Sequence, residues 1–167
     1  MFYLMRLAMT VFPIATALLV WHWARLLFGK TVGLLALLAA VLSPTALAHG
    51  CLLKNDVAAA FAYLLFAFCG WRFWLEPSRR RALELAGAVL FGGLVKLSLL
   101  VTGVFAVVLV VARTIRNPRR AAFALAAVLA IPYAGFLAAY RFEVSLFGYV
   151  PAPVDLVRAV RSLSSYQ

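Results

Sequence analysis

The chain has 167 residues, of which 66% are hydrophobic and only 13% are charged, and its mean hydropathy is +1.03. Because a soluble domain has roughly 45–50% apolar and about 25% charged residues, this composition predicts an integral membrane protein. The net charge of +11 comes from basic residues that lie between long apolar runs and not on one polar face, which argues against a nucleic-acid partner.

The apolar runs between the charges predict an all-α fold, a polytopic bundle of about six transmembrane segments. In chain order these segments are about 8–28, 31–49, 56–75, 82–95, 97–112 and 121–140. The stretch 82–112 is short for two spans and is interrupted at Gly92, Gly93 and Lys96. It therefore predicts a hairpin of two short helices with its turn near Lys96, which is stable only among longer neighbours.

The positive-inside rule sets the predicted orientation. Arg79, Arg80 and Arg81 form one basic cluster, and a second cluster begins at Arg113, so both are expected in the cytoplasm. This arrangement places ten basic residues inside: Arg25, Lys30, Arg72, Arg79, Arg80, Arg81, Arg113, Arg116, Arg119 and Arg120. It leaves six outside: Arg6, Lys54, Lys96, Arg141, Arg158 and Arg161. The N-terminus and residues 141–167 are then predicted to lie on the outer side.

The two ends of the chain predict a truncated protein. Residues 1–140 are expected to form a partial transmembrane domain that starts on the outer side with little chain before the first helix. Residues 141–167 pass a Pro151, Pro153 pair and an amphipathic stretch, which predicts the start of an outer loop or amphipathic helix. Arginine outnumbers lysine by 13 to 3, which favours a GC-rich bacterial source, and the predicted location is a bacterial inner membrane.

Asp56 is the acidic residue with the strongest claim to a functional role, since it opens the third segment at the outer surface. One interpretation is a helix N-cap that satisfies free N–H groups. The other starts from the fact that a carboxylate at a helix N-terminus stays ionised, so that it can bind a divalent metal ion or orient a polar acceptor. Glu76 and Glu84 flank the inner arginine cluster and are expected to form salt bridges there.

Three further residues are candidates for substrate binding. Lys54 can meet a phosphate or extend its side chain to the interface. Lys96 lies between two apolar segments, where an ionisable group indicates substrate or ion handling unless it also reaches the interface. His49 lies at the outer end of the second segment with no second histidine nearby, and is a weaker candidate. Cys51 and Cys69 are interpreted as small apolar residues, and no motif of a soluble enzyme is present.

Several short motifs follow one another along the chain: Arg25-Leu26-Leu27-Phe28-Gly29-Lys30, Leu42-Ser43-Pro44, Ala48-His49-Gly50, Lys54-Asn55-Asp56 and the hairpin from Leu85-Ala86-Gly87 through Gly92-Gly93 to Lys96-Leu97-Ser98. In this order they resemble the GT-C glycosyltransferases, in particular the bacterial branch of protein O-mannosyltransferases and aminoarabinose transferases. The resemblance covers most of residues 6–112, with Lys54 in place of the family's commoner threonine.

The resemblance implies inverting transfer of a sugar from a polyprenyl-phosphate donor to an acceptor protein or glycolipid on the outer face of the membrane. It implies that Asp56 matches a second acidic position of the family, whereas the essential acidic residue of the family's first outer loop, the expected base, has no counterpart in this chain. The fragment alone is therefore expected to be inactive. The alternative hypothesis is a non-catalytic multi-pass module, a transporter-like or assembly subunit, whose partners are membrane lipids and other proteins.

Overall fold

The computed structural model describes residues 2–44, 55–114 and 118–147, and in these ranges the chain is helical with no strand. The helices are α1 (Phe2–Phe28), α2 (Lys30–Val41), α3 (Asn55–Leu75), α4 (Arg79–Val95), α5 (Val101–Thr114) and α6 (Pro118–Phe147). A short 3-10 helix, Leu97–Leu100, joins α4 to α5. The prediction of an all-α bundle is confirmed for the described residues.

Glycine makes the sharp reversal between α1 and α2. Gly29 has φ +93°, a conformation that glycine adopts without steric cost, and its N–H donates to Arg25 O at 3.0 Å. One turn later Gly33 packs directly on Arg25, where an added Cβ would lie 2.8 Å from Arg25 Cβ. The two helices can therefore pack closely because residue 33 has no side chain.

The turn between α3 and α4 is held by polar contacts to the helix ends. Ser78 is the N-cap of α4, and its Oγ accepts from the Arg81 backbone N–H at 3.3 Å. The Arg81 guanidinium donates to Glu76 O at 3.3 Å and to Arg72 O at 2.8 Å, where it joins the Glu76 N–H as a second donor. The two helices consequently form a tight antiparallel hairpin.

Contacts along the helices show which ends lie together. The rings of Phe12 and Phe61 are 6.3 Å apart near one end, and those of Trp23 and Trp71 are 5.8 Å apart near the other, so α1 and α3 run parallel. Arg113 Nε donates to Trp74 O at 2.7 Å, which sets α5 parallel to α3, whereas α4 runs antiparallel to both.

We call one end of the bundle the arginine end. Among the described residues it holds the ends of helices that carry Arg25, Lys30, Arg72, Arg79, Arg80, Arg81, Arg113, Arg119 and Arg120. The opposite end, which holds Asp56 and Lys96, is called the aspartate end. The predicted grouping of the basic residues is thus confirmed for the residues that the structure describes.

The core is built largely from small side chains. Its fully buried large residues are Phe73, Leu85, Val89, Leu99 and Val110, and alanines fill much of the remaining buried surface. Small residues let helices approach closely, which favours association where lipid removes the hydrophobic driving force. Cys69 is buried in this core, so its interpretation as a small apolar residue is confirmed, whereas Cys51 lies outside the described residues.

In the part of the chain that the structure describes, four helical stretches are long and apolar enough to cross a membrane, which indicates a membrane protein. They are Thr10–Phe28, Asn55–Leu75, Leu97–Thr114 and Pro118–Ala139, the third of them continuous with the 3-10 helix. Helix α2 has 12 residues and α4 has 17, both shorter than the roughly 20 that a span needs. Helix α4 packs against α3, α5 and α6, as expected of a short helix among longer neighbours. A total of six spans stays a prediction.

Two helix ends differ from the predicted elements. Helix α2 ends at Val41, inside the predicted segment 31–49 and shortly before Pro44, which disfavours a helical conformation at the residue preceding it; residues 45–49 of that segment lie outside the described residues. The last segment was expected to end at residue 140, but α6 continues to Phe147. Trp23 and Trp71 pack, partly buried, against Phe68 between α1 and α3.

Candidate functional site

The candidate site is an ion pair at the aspartate end. Lys96 Nζ lies 3.1 Å from Asp56 Oδ1, and the two residues are 40 positions apart in the chain. The side chains are 50% and 68% exposed, respectively. Two of the residues singled out in the sequence are therefore in direct contact, at a place that a ligand can reach.

Each partner is positioned by the end of a helix. Asp56 lies in the first turn of α3, whose free N–H groups and positive dipole end favour a carboxylate. Lys96 is the C-cap residue of α4, where the negative dipole end favours a cation. Helix α3 begins at Asn55, so Asp56 lies one residue inside the helix, and one of its interactions is with Lys96.

The backbone at Lys96 is extended and hydrogen-bonded on both sides. Its φ is −154° and its ψ is 124°, its N–H donates to Gly92 O at 3.0 Å, and its C=O accepts from Leu99 N–H at 2.8 Å. This single extended residue ends α4 and begins the 3-10 helix. The lysine is consequently held on a fixed corner of the chain.

A small apolar cluster lies beneath the ion pair. Leu99 is completely buried and packs with Ala59 and Ala62 of α3, and the partly buried Phe91 and Val95 close the cluster from α4. Residue 99 comes from the corner that carries Lys96, and residue 59 lies one turn after Asp56. The cluster therefore fixes the distance between the two backbones that carry the charges.

The pairing could have been found from the sequence by treating α3 and α4 as one hairpin. When an antiparallel hairpin turns near residue 76, residues at equal distance before and after the turn lie side by side, and positions 56 and 96 fulfil this condition. The Arg72–Glu84 ion pair and the Phe61–Phe91 contact follow nearly the same rule. Asp56 and Lys96 were each predicted as site residues, but their contact was not predicted.

Lys54 and His49, the other two predicted substrate-binding residues, lie outside the described residues. Their predicted roles therefore stay predictions.

The described residues around Asp56 do not fit a divalent metal ion. A metal site needs several oxygen, nitrogen or sulfur ligands, and no group of three or more His, Cys, Asp or Glu side chains occurs in the described part of the chain. In addition, an ammonium group already lies 3.1 Å from Asp56 Oδ1, and it would repel a second cation. We derive no chemical step through a metal.

Glu76 and Glu84 form ion pairs at the arginine end, as predicted. Glu84 Oε2 lies 3.0 Å from Arg72 Nη1, and Glu84 Oε1 lies 3.2 Å from Arg80 Nε. Glu76 pairs with Arg81 at 2.5 Å. These contacts join the ends of α3 and α4, so we assign them a structural role.

Comparisons of the chain with protein families, curated proteins and solved structures found no match.

Proposed function

We propose that this chain is part of a membrane glycosyltransferase of the GT-C type, which transfers a sugar from a polyprenyl-phosphate donor to an acceptor protein or glycolipid. The observation that carries the proposal is the Asp56–Lys96 pair, which places a carboxylate and an ammonium group together at one end of the bundle. Transfer from a lipid phosphate needs both charges, one for the acceptor hydroxyl and one for the departing phosphate.

The proposed orientation places the arginine end in the cytoplasm of a bacterium and the aspartate end on the outer face of its inner membrane. The positive-inside rule supports it, because nine of the described basic side chains lie at the arginine end and Lys96 lies at the other. The donor lipid then reaches the site from the outer leaflet, with its phosphate at the level of Lys96.

The proposed reaction is a single inverting displacement. The acceptor hydroxyl oxygen forms a bond to the anomeric carbon of the sugar while the bond from that carbon to the phosphate oxygen breaks. The electron pair leaves with the lipid phosphate, and the hydroxyl proton passes to a carboxylate. Asp56, at the aspartate end, can accept a hydrogen bond from the acceptor hydroxyl and orient it.

Lys96 is the proposed contact to the donor phosphate. Its ammonium group has three donors, so it can keep one toward Asp56 or turn toward a phosphate oxygen, and half of the side chain is exposed. A positive charge next to the bridging oxygen stabilises the charge that develops there as the bond breaks. Lys54 and His49 are proposed as further contacts to the donor, because the segment that carries them leads directly into α3. Asp56 is also proposed as one ligand of a divalent ion, with the other ligands supplied by residues outside the described ranges.

The experiment is equilibrium binding of a radiolabelled polyprenyl phosphate to the purified chain in phosphatidylcholine nanodiscs. We expect Lys96→Gln to weaken binding about tenfold, because a hydrogen bond to a charged group contributes about 1.5–3 kcal/mol and 1.4 kcal/mol is a factor of ten. The matched control is Lys30→Gln, which removes an exposed lysine from the arginine end and should leave binding unchanged. Unlabelled polyprenol without its phosphate should not compete.

A second arm tests the catalytic role directly. In membranes that carry out sugar transfer with this protein, Asp56→Asn should abolish transfer while the amount of inserted protein stays constant. Normal transfer by that variant would contradict the assignment of Asp56.

The second candidate function is a non-catalytic membrane module that binds lipid and partner proteins. The observation that favours it is that an exposed ion pair between two helix ends can serve packing alone. Under this alternative the chain shows no preference for polyprenyl phosphate over polyprenol. Lys96→Gln and Lys30→Gln then have the same effect on the binding of polyprenyl phosphate.

A further inference from the structure

A pocket at the arginine end lies between the ends of four helices. Its volume is about 330 Å³, and its lining comes from the end of α3, the start of α4, the end of α5 and the start of α6. Since one liquid water occupies about 30 Å³, the pocket holds a group of about ten non-hydrogen atoms, which is the size of phosphoglycerol. The pocket is far from Asp56 and Lys96, at the opposite end of the bundle.

The pocket has an apolar floor and a basic rim. Phe73, Ala82 and Ala124 are buried at the floor. Arg79, Arg119 and Arg120 are exposed and line the rim, and no aspartate or glutamate is among the described lining residues. Such a rim favours a negatively charged ligand. The pocket below the rim has room for an uncharged part of that ligand.

Glu76 and Glu84, the carboxylates nearest to Arg79 along the chain, are paired with other arginines. Glu84 is held by Arg72 and Arg80, and Glu76 is held by Arg81. Arg79 instead lies over the ring of Phe123, with its Cζ 5.3 Å from the ring centroid. This contact holds the guanidinium at the rim, where its N–H groups can donate to an anion.

Two helix N-termini add to the positive potential of the pocket. Helix α4 begins at Arg79 and α6 begins at Pro118, and neither has an acidic residue in its first turn. Acidic residues are usual in the first turn of a helix, because the helix dipole favours a negative charge there and disfavours the positive charge of an arginine. Ser78 Oγ accepts from the Arg81 N–H and keeps its own hydrogen to donate. An anion in the pocket would therefore relieve repulsion as well as gain hydrogen bonds.

The pocket lies at the depth of the lipid headgroups. The candidate spans of α3 and α5 end at Leu75 and Thr114, and that of α6 begins at Pro118, all within a few residues of the lining side chains. Leu75 and Leu83 are exposed next to this level, so acyl chains would have apolar surface to follow. Basic pockets between transmembrane helices are known to bind the phosphates of anionic lipids.

We infer that this pocket binds the phosphate headgroup of an anionic glycerophospholipid of the leaflet at the arginine end. Arg79 and Arg119 hold the phosphate in bidentate fashion, and Ser78 donates to it. The bound lipid joins the starts of α4 and α6 and so stabilises the side of the bundle opposite the candidate site. This inference does not depend on the proposed glycosyltransferase activity.

The experiment is native mass spectrometry of the chain from micelles that contain equal amounts of phosphatidylglycerol and phosphatidylcholine. We expect the wild-type chain to retain phosphatidylglycerol preferentially, and Arg79→Gln combined with Arg119→Gln to reduce that preference at least tenfold. The control removes the same charge at the same end outside the pocket, by Arg80→Gln combined with Lys30→Gln. The control should keep the preference.

Two further arms identify the source of the phosphate and exclude a folding defect. Inorganic phosphate at millimolar concentration should not displace the lipid, and displacement would show a simple anion site and overturn the lipid assignment. Arg119→Gln alone, at an exposed position, should reduce the preference several-fold while the melting temperature in phosphatidylcholine stays unchanged. Equal loss in the test and control variants would show nonspecific attraction to a basic surface and would also overturn the inference.

Discussion

Leu99 is predicted to be the residue that holds the corner of the chain at Lys96 in place. It is completely buried against Ala59 and Ala62, whereas Leu97 in the same 3-10 helix is 54% exposed. The fit is close, because a Cβ added to Gly92 would lie 3.5 Å from Leu99 Cβ. Leu99→Ala would therefore leave a gap between α3 and the corner.

Buried leucine-to-alanine substitutions cost about 2–5 kcal/mol, and a cluster of this small size at the end of a bundle should lie near the lower value of about 2 kcal/mol. For comparison, Leu97→Ala removes the same atoms from an exposed position and should change the free energy of unfolding by no more than about 0.5 kcal/mol. The two variants have the same composition, so the difference between them isolates burial.

The assay is reversible denaturation of the chain in detergent, followed by the fluorescence of the tryptophans in the α1–α3 contact. The same samples are then tested for binding of polyprenyl phosphate. We expect Leu99→Ala to lower both stability and binding, and Leu97→Ala to change neither. If the two variants unfold alike, Leu99 does not support the corner and the packing argument is wrong.

Two further pairs of substitutions test the packing of the helices. An added Cβ at Gly33 meets the Cβ and backbone of Arg25, so Gly33→Ala should lower the melting temperature. An added Cβ at Gly87 meets nothing within 4 Å, so Gly87→Ala should raise the melting temperature slightly, because alanine has the higher helix propensity. A lower melting temperature for Gly87→Ala would contradict the open space at that position. Glu84 is 26% exposed with two arginine partners and Glu76 is 76% exposed with one, so Glu84→Gln should destabilise the chain more than Glu76→Gln in the same denaturation assay. Equal effects would show that the partly buried Glu84 network adds nothing beyond a surface pair.

Hydropathy and charge predicted most of the helices and their grouping into two ends, because both follow from the cost of placing charge in lipid. The turn at Lys96 was predicted for the same reason and is confirmed. The end of α2 and the length of α6 were not predicted correctly, because capping and packing decide where an apolar helix stops.

The residues of the candidate site were predicted one by one, whereas their contact was not predicted, although the register of the α3–α4 hairpin implies it. Asp56 and Lys96 stand out because they interrupt or border apolar runs, yet their contact depends on the hairpin that brings positions 56 and 96 together. The arginines of the pocket carried only an orientation signal in the sequence. Their convergence requires four helix ends to meet, which no local pattern encodes.

We propose that Lys96 exchanges between Asp56 and a donor phosphate. The variants Asp56→Asn and Lys96→Gln test this proposal, because they should change the affinity for polyprenyl phosphate in opposite directions. An exposed ion pair is worth about 0.2–1 kcal/mol, so Asp56→Asn, which releases Lys96, should tighten polyprenyl-phosphate binding by up to about fivefold. Lys96→Gln should weaken the same binding about tenfold. We would measure both dissociation constants side by side in phosphatidylcholine nanodiscs. Opposite signs are the predicted result, and loss of binding in both variants or in neither would contradict the account.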